Sequence, residues 1–153
     1  MTARRKACVE VCFVIGRGGA ILWADASDSA EALPDSRARW EAIWRHRGEL
    51  EAIAHSHPVG PAAFSAEDES TMQAIDGALG RELRYYVVAP RHTIARTGER
   101  AEVITPEPWW AGRLRLASGM VWRSRWFVAR RDPARDATRG RREIVPSRSI
   151  KGD

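Results

Sequence analysis

The chain has 153 residues, 44% of them hydrophobic, which is enough for one domain with a real core and too few for two comfortable ones. The formal charge of +5 is gathered towards the C-terminus: from Arg123 onward ten basic residues face four acidic ones. Only two cysteines occur, and no apolar run is long enough to span a membrane.

Ala7 to Ile15 is apolar and rich in β-branched residues, and Gly16-Arg-Gly-Gly19 followed by Ala20 to Asp25 predicts a hairpin. On such a strand Cys8 and Cys12 stand about 13 Å apart and cannot bridge each other. With no other partner they indicate a reduced, intracellular protein, and a cytoplasmic location is expected. Arg4-Arg5-Lys6 superficially imitates a signal peptide, but Glu10 interrupts the apolar run that follows. Val9, Val11, Phe13 and Ile15 share one face of the strand, and Glu10 falls on the other with Cys8, Cys12 and Val14. A carboxylate in that company either faces water or has a polar partner, because burying it alone is costly.

Ala26 to Pro34 is expected to be a loop. A helix then starts near Asp35 or Ser36, either of which can cap it, and Gly48 is expected to end it. Trp40, Ile43 and Trp44 fall at i, i+3 and i+4 and predict one core-facing stripe.

Leu50 to His57 reads as the next strand. Its alternate residues His55 and His57 project to the same side while Ser56 points away. A loop with Pro58, Gly60 and Pro61 follows. Ser65-Ala-Glu-Asp68 then opens a helix marked by Met72, Ile75 and Leu79 and stopped by Gly80, which returns Asp68 to the histidines. Two imidazoles, one carboxylate and an open fourth position form a catalytic rather than a structural metal set, a donor set that suits zinc, iron or manganese. Leu83 to Ala89 is a buried strand. His92 to Arg96 and Ala101 to Thr105 form a second hairpin. Trp109, Trp110, Leu114, Leu116 and Met120 suit a short amphipathic helix closing a domain of residues 1–120. Val121 to Val128 suits a strand or a cover over an apolar face. From Arg130 the chain is polar and Arg-rich, and a disordered basic tail is expected within an extension of residues 121–153. The tail lacks the aromatic interleaving that nucleic-acid binding wants, so a nucleic-acid partner is not expected.

His-x-His, seven residues, then Ser-x-x-Asp resembles the signature of the JAB/MPN (JAMM) metalloproteases, with His55, His57, Ser65 and Asp68 matching residue by residue. Other metal families fit less well. Metallo-β-lactamase-like sites continue as His-x-His-x-Asp-His, but Val59 and Gly60 stand at those places. Zinc deaminases need a Cys-x-x-Cys, which is absent. Amidohydrolase barrels need roughly 250 residues.

The resemblance implies an α/β fold, a mixed sheet flanked by helices and akin to the cytidine deaminases. It also implies a compact, prokaryotic-type member, since no long insertion separates Asp68 from the Leu83 strand. JAMM proteins carry a catalytic Glu on an early strand in a Glu-x-Cys-Gly-like context. Glu10-Val-Cys-Phe13 is similar except at Phe13, and Glu51 is the rival.

The implied activity is zinc-dependent hydrolysis of an amide bond in a protein or peptide, at the C-terminus of a ubiquitin-like or sulfur-carrier-like protein. Glu10 would be the general base and Ser65 an oxyanion donor. Ser65 is also placed to cap the helix, and the two roles compete for one hydroxyl, as metal binding and reciprocal capping compete for Asp68. Two alternatives stay open: a non-catalytic MPN scaffold using the Trp-rich C-terminal segment, and a nucleic-acid-associated protein of the RadC branch, which His-x-His-Pro-x-Gly and Thr71 also resemble.

Overall fold

The computed structural model describes residues 7–120. The expectations for Val121 to Val128, for the basic tail and for the charged start of the chain lie outside the described residues.

Six strands form one mixed sheet in the order β2-β1-β3-β4-β5-β6. They are β1 (Val11–Gly16), β2 (Ile21–Ala26), β3 (Leu50–Ser56), β4 (Arg84–Val88), β5 (Thr93–Thr97) and β6 (Arg100–Val103). Only the β3–β4 pairing is parallel among these neighbours. A parallel pair needs a crossover, and α2 (Ala66–Leu79) supplies it. Helix α1 (Arg37–Arg45) lies between β2 and β3, and α3 (Trp109–Ser118) follows β6.

Strand alternation divides the core into two layers. Val11, Phe13, Ile15, Ala52, Ala54, Tyr86 and Val88 pack against Trp110, Ala111 and Leu114 of α3. Cys12, Val14, Ile53 and Tyr85 pack on the opposite face against Ile43 of α1 and Met72 and Ile75 of α2. The result is the mixed α/β sandwich that the element order predicts. The β1–β2 turn approaches α3 so closely that a Cβ on Gly19 would sit 2.9 Å from the Trp109 indole nitrogen. Gly19 also has φ +80, so only glycine fits there.

Three expectations need correction. Helix α1 ends at Arg45 with His46 as its C-cap, ahead of Gly48. Trp44 is 53% exposed, with the Arg47 guanidinium 4.6 Å from its ring centre, and the residues α1 buries are Arg39, Ala42 and Ile43. The reason is electrostatic: Arg39 makes a paired contact to Asp25 of β2, at 3.2 and 2.7 Å, and a bond to the Pro34 carbonyl at 3.3 Å. That pairing turns the Arg39 side of the helix inward. In α3 the buried positions are Trp110, Ala111, Leu114, Arg115 and Ser118, whereas Leu116 is 70% exposed.

Candidate metal centre

The two histidines arrive where β3 ends. Cys12 is the last residue of β1 in register with the strand, opposite His55, and the His57 amide bonds onward to the Val88 carbonyl of β4 at 3.0 Å. Both imidazoles therefore emerge on the α1/α2 face, as the strand period requires. Their Nε2 atoms stand 3.0 Å apart. The His57 Nδ1 lies 3.1 Å from the Pro61 carbonyl, which can only accept, so Nδ1 carries the hydrogen and Nε2 of the neutral ring keeps its lone pair for the centre.

Asp68 completes the group from the first turn of α2. Its Oδ1 is 3.1 Å from His55 Nε2, and its Oδ2 is 3.6 Å from His57 Nε2. The donor atoms all lie within 4.8 Å of one another. A tetrahedral ion bound at about 2.0–2.2 Å would hold such donors roughly 3.3 Å apart, close to the 3.0, 3.1 and 3.6 Å found here, so the three side chains fit a metal ion. Phe64 packs edge-on beside His55, their ring centres 6.3 Å apart.

Ser65 is the N-cap of α2. Its hydroxyl accepts from the Asp68 amide at 3.1 Å and donates to Asp68 Oδ2 at 2.8 Å, while its own amide donates to the same oxygen at 2.6 Å. Cap and candidate centre thus share the carboxylate: Oδ2 serves the cap and also stands nearest His57, while Oδ1 faces His55. The Ser65 proton points at Asp68 in this state, so a bond to an oxyanion requires the hydroxyl to turn.

Glu10 stands just before β1, buried at 5% exposure, and lines the same cavity of about 530 Å³ as His55, His57, Ser65 and Asp68. Burial pushes its carboxyl up from 4.5 to about 7, against the pull of His57 and with the repulsion of Asp68 and Glu67. The rival Glu51 is exposed and is not part of that cavity. Burial also opposes charge on His57, but its bonds to Asp68 and the Pro61 carbonyl outweigh this and raise its pKa. For Asp68, too, burial acts upward, and hydrogen bonds from His55 and His57 override it and hold the carboxyl well below the usual carboxylate range.

A family profile described as prokaryotic homologs of the JAB domain matches residues 3–110, well over half of the chain. The chain belongs to the prokaryotic JAB-domain family. No curated relative matches it. The JAB family includes JAMM metalloproteases as well as domains without catalysis, and the His-His-Asp group of this member can hold a metal. Among the described residues of this JAB domain, no helix is long and apolar enough to cross a membrane. Two contributors to the site were not singled out from sequence: the Pro61 carbonyl and Phe64. Pro61 follows His57 by four residues, which is a signal that could have been used.

Proposed function

We propose that this JAB domain is a zinc-dependent peptidase or isopeptidase. The observation that supports the reading best is the convergence of His55, His57 and Asp68 in one cavity with a buried carboxyl, Glu10, whose pKa is near neutrality. His55, His57 and Asp68 would hold the ion. Two nitrogens and one oxygen leave a tetrahedral ion one open position, the arrangement of hydrolytic rather than structural zinc. When bound, zinc supplies Lewis acidity, which polarises a carbonyl and acidifies water.

Glu10 takes a proton from the attacking water and returns it to the leaving amine. A carboxyl with a pKa near the working pH can do both, since neither protonation state is strongly disfavoured. Ser65 turns its hydroxyl from Asp68 towards the carbonyl oxygen as charge develops there. The Pro61 carbonyl keeps the His57 ring in one tautomer.

Leu33, Pro34, Val59 and Phe64 are among the residues lining the cavity, and its volume suits a few residues of an extended chain. Together with the JAMM resemblance this favours the C-terminal segment of a ubiquitin-like or sulfur-carrier-like protein as substrate, in the cytoplasm. A panel of such fusions incubated with purified wild type and Glu10→Gln, each assayed for zinc, tests the reading. The expected result is stoichiometric zinc in both and cleavage by wild type alone. Full cleavage by Glu10→Gln would refute the base. Wild type that takes up no zinc would leave a scaffold.

A further inference from the structure

Past Cys12 and His55 the β1–β3 ladder gives way to side chains. The Val11 amide donates to Ser56 Oγ at 2.8 Å, Ser56 Oγ donates to Ser118 Oγ at 3.0 Å, and Ser118 Oγ donates to the Val9 carbonyl at 2.5 Å. The direction of this chain is forced, because an amide only donates and a carbonyl only accepts. Both hydroxyls are 0% exposed, so no water can replace them.

The two peptide groups that flank the Glu10 Cα are thereby fully occupied. In the first, the Val9 carbonyl takes the Ser118 hydroxyl and the Glu10 amide donates to the Ser29 carbonyl at 2.7 Å. In the second, the Val11 amide takes Ser56 and the Glu10 carbonyl accepts from the Ser27 amide at 2.8 Å. The Val9 amide also bonds to the Ser118 carbonyl at 3.0 Å, so the end of α3 grips both polar groups of Val9. Ser56 stands between His55 and His57. One hydroxyl therefore joins the strand that carries the candidate ligands to the backbone that carries the candidate base.

We propose that Ser56 and Ser118 are positioning residues that fix the placement of the Glu10 carboxylate relative to the His55–His57–Asp68 centre. The proposal rests on the reading of Glu10 as the general base. Neither serine touches the reacting atoms. Their effect would come through backbone geometry, where a displacement of about 1 Å costs on the order of 100-fold in rate.

The test compares wild type, Ser56→Ala and Ser118→Ala in zinc content, in amide hydrogen exchange by NMR, and in kcat and KM on a fusion that wild type cleaves. Ser56→Ala is expected to keep its zinc and the slow exchange of the interior β1–β3 amides, while exchange at Val11 rises about tenfold or more. Its kcat is expected to fall roughly 10- to 100-fold, with KM within about twofold. Ser118→Ala, which keeps the Val11–Ser56 bond, should show a smaller fall in kcat and carries the test if Ser56→Ala does not fold. Unchanged kcat, or a loss of zinc in step with kcat, would overturn the proposal, because a merely structural serine would give one or the other. Failure of wild type to bind zinc or cleave is a separate result that overturns the functional reading. The exchange rate at Val11 then still decides whether the clamp on Glu10 exists.

Discussion

Ser65 and Asp68 cap one another through a single carboxylate oxygen: Asp68 Oδ2 accepts from the Ser65 amide at 2.6 Å and from its hydroxyl at 2.8 Å, while Oδ1 stands 3.1 Å from His55 Nε2. The helix cap and the candidate metal group therefore share one side chain, with Oδ2 in the cap also 3.6 Å from His57 Nε2, and substitutions can separate the two roles. Asn at position 68 keeps an oxygen for the cap but loses the anion, whereas Ala loses both. Asp68→Asn and Asp68→Ala should both lose zinc by elemental analysis. In urea denaturation of the metal-free proteins at about pH 8, Asp68→Ala should be less stable than Asp68→Asn by about 1 kcal/mol, the usual worth of a helix cap. Equal stability of the two would show that the side chain at position 68 adds nothing to the cap, since the Ser65 hydroxyl keeps its bond from the residue-68 amide in both.

The raised pKa of Glu10 makes a signed prediction for the metal-free protein. Between 4.5 and about 7 the folded state holds a proton that the unfolded chain has already released. Stability should therefore fall as pH rises through that window, by at most about 3 kcal/mol. Glu10→Gln carries no titrating group and should remove the fall between pH 5 and 6.5, leaving at higher pH the part that the raised pKa of His57 contributes, which denaturation series at pH 5, 6, 7 and 8 would reveal. Zinc adds a cation that favours the carboxylate, so the acid limb of hydrolysis in the loaded enzyme should lie below pH 7.

Arg115 is buried at 5% exposure and ties α3 to the β4–β5 turn and to the segment before α3. Its Nε donates to the Ala89 carbonyl at 2.8 Å, one Nη to Thr93 Oγ1 at 3.3 Å, and the other Nη to Glu107 Oε2 at 2.7 Å. Burial would raise the Glu107 pKa, but the hydrogen bonds from Arg115 and Thr93 reverse this and lower it. The stability that Glu107 contributes is present above its ordinary pKa of 4.5 and is lost as pH falls through the lower folded value. Arg115→Ala should cost about 1–3 kcal/mol, because it leaves the Ala89 carbonyl without its donor, whereas water can reach Glu107. It should also reduce that acid-side loss to the share that the Thr93 bond sustains. Thermal denaturation at pH 4 and pH 7 measures both.

The elements around the centre were legible because their signals are local. His55 and His57 lie two apart on one strand, Asp68 stands at a fixed offset from its cap, and Gly80 closes α2 with φ +66. The Ser56–Ser118 bond and the Arg115–Thr93 contact span 62 and 22 positions, and a buried Ser or Arg has the same letter as an exposed one. Periodicity also cannot choose between two overlapping stripes. In α1 the series Trp40-Ile43-Trp44 and the series Arg39-Ala42-Ile43 are both spaced for one helical face, and hydrophobicity favours the first. Trp40 and Ile43 do pack on the core, and only Trp44 leaves it, where Arg39, paired with Asp25 14 positions earlier on another element, is buried instead.

That choice of face can be measured. Ile43 is 2% exposed and Trp44 is 53% exposed, although the two are neighbours on α1. Ile43→Ala leaves a cavity among Val14, Ile53 and their neighbours, and should cost about 2–5 kcal/mol. Trp44→Ala removes a larger side chain but forfeits only surface contact and the Arg47 interaction, which is worth about 0.5–1 kcal/mol at an exposed site. The smaller residue should thus be several times costlier to delete, and the two urea midpoints would show it. Asp25→Ala provides the cause. It leaves the Arg39 guanidinium buried at 7% exposure without its carboxylate, so α1 must either lose stability or turn. If it turns, Trp44 moves towards the core, its fluorescence shifts to the blue, and Trp44→Ala becomes more damaging in the Asp25→Ala background than in wild type. Independent, additive effects of the two substitutions would mean that Arg39 and Asp25 follow the helix face and do not set it.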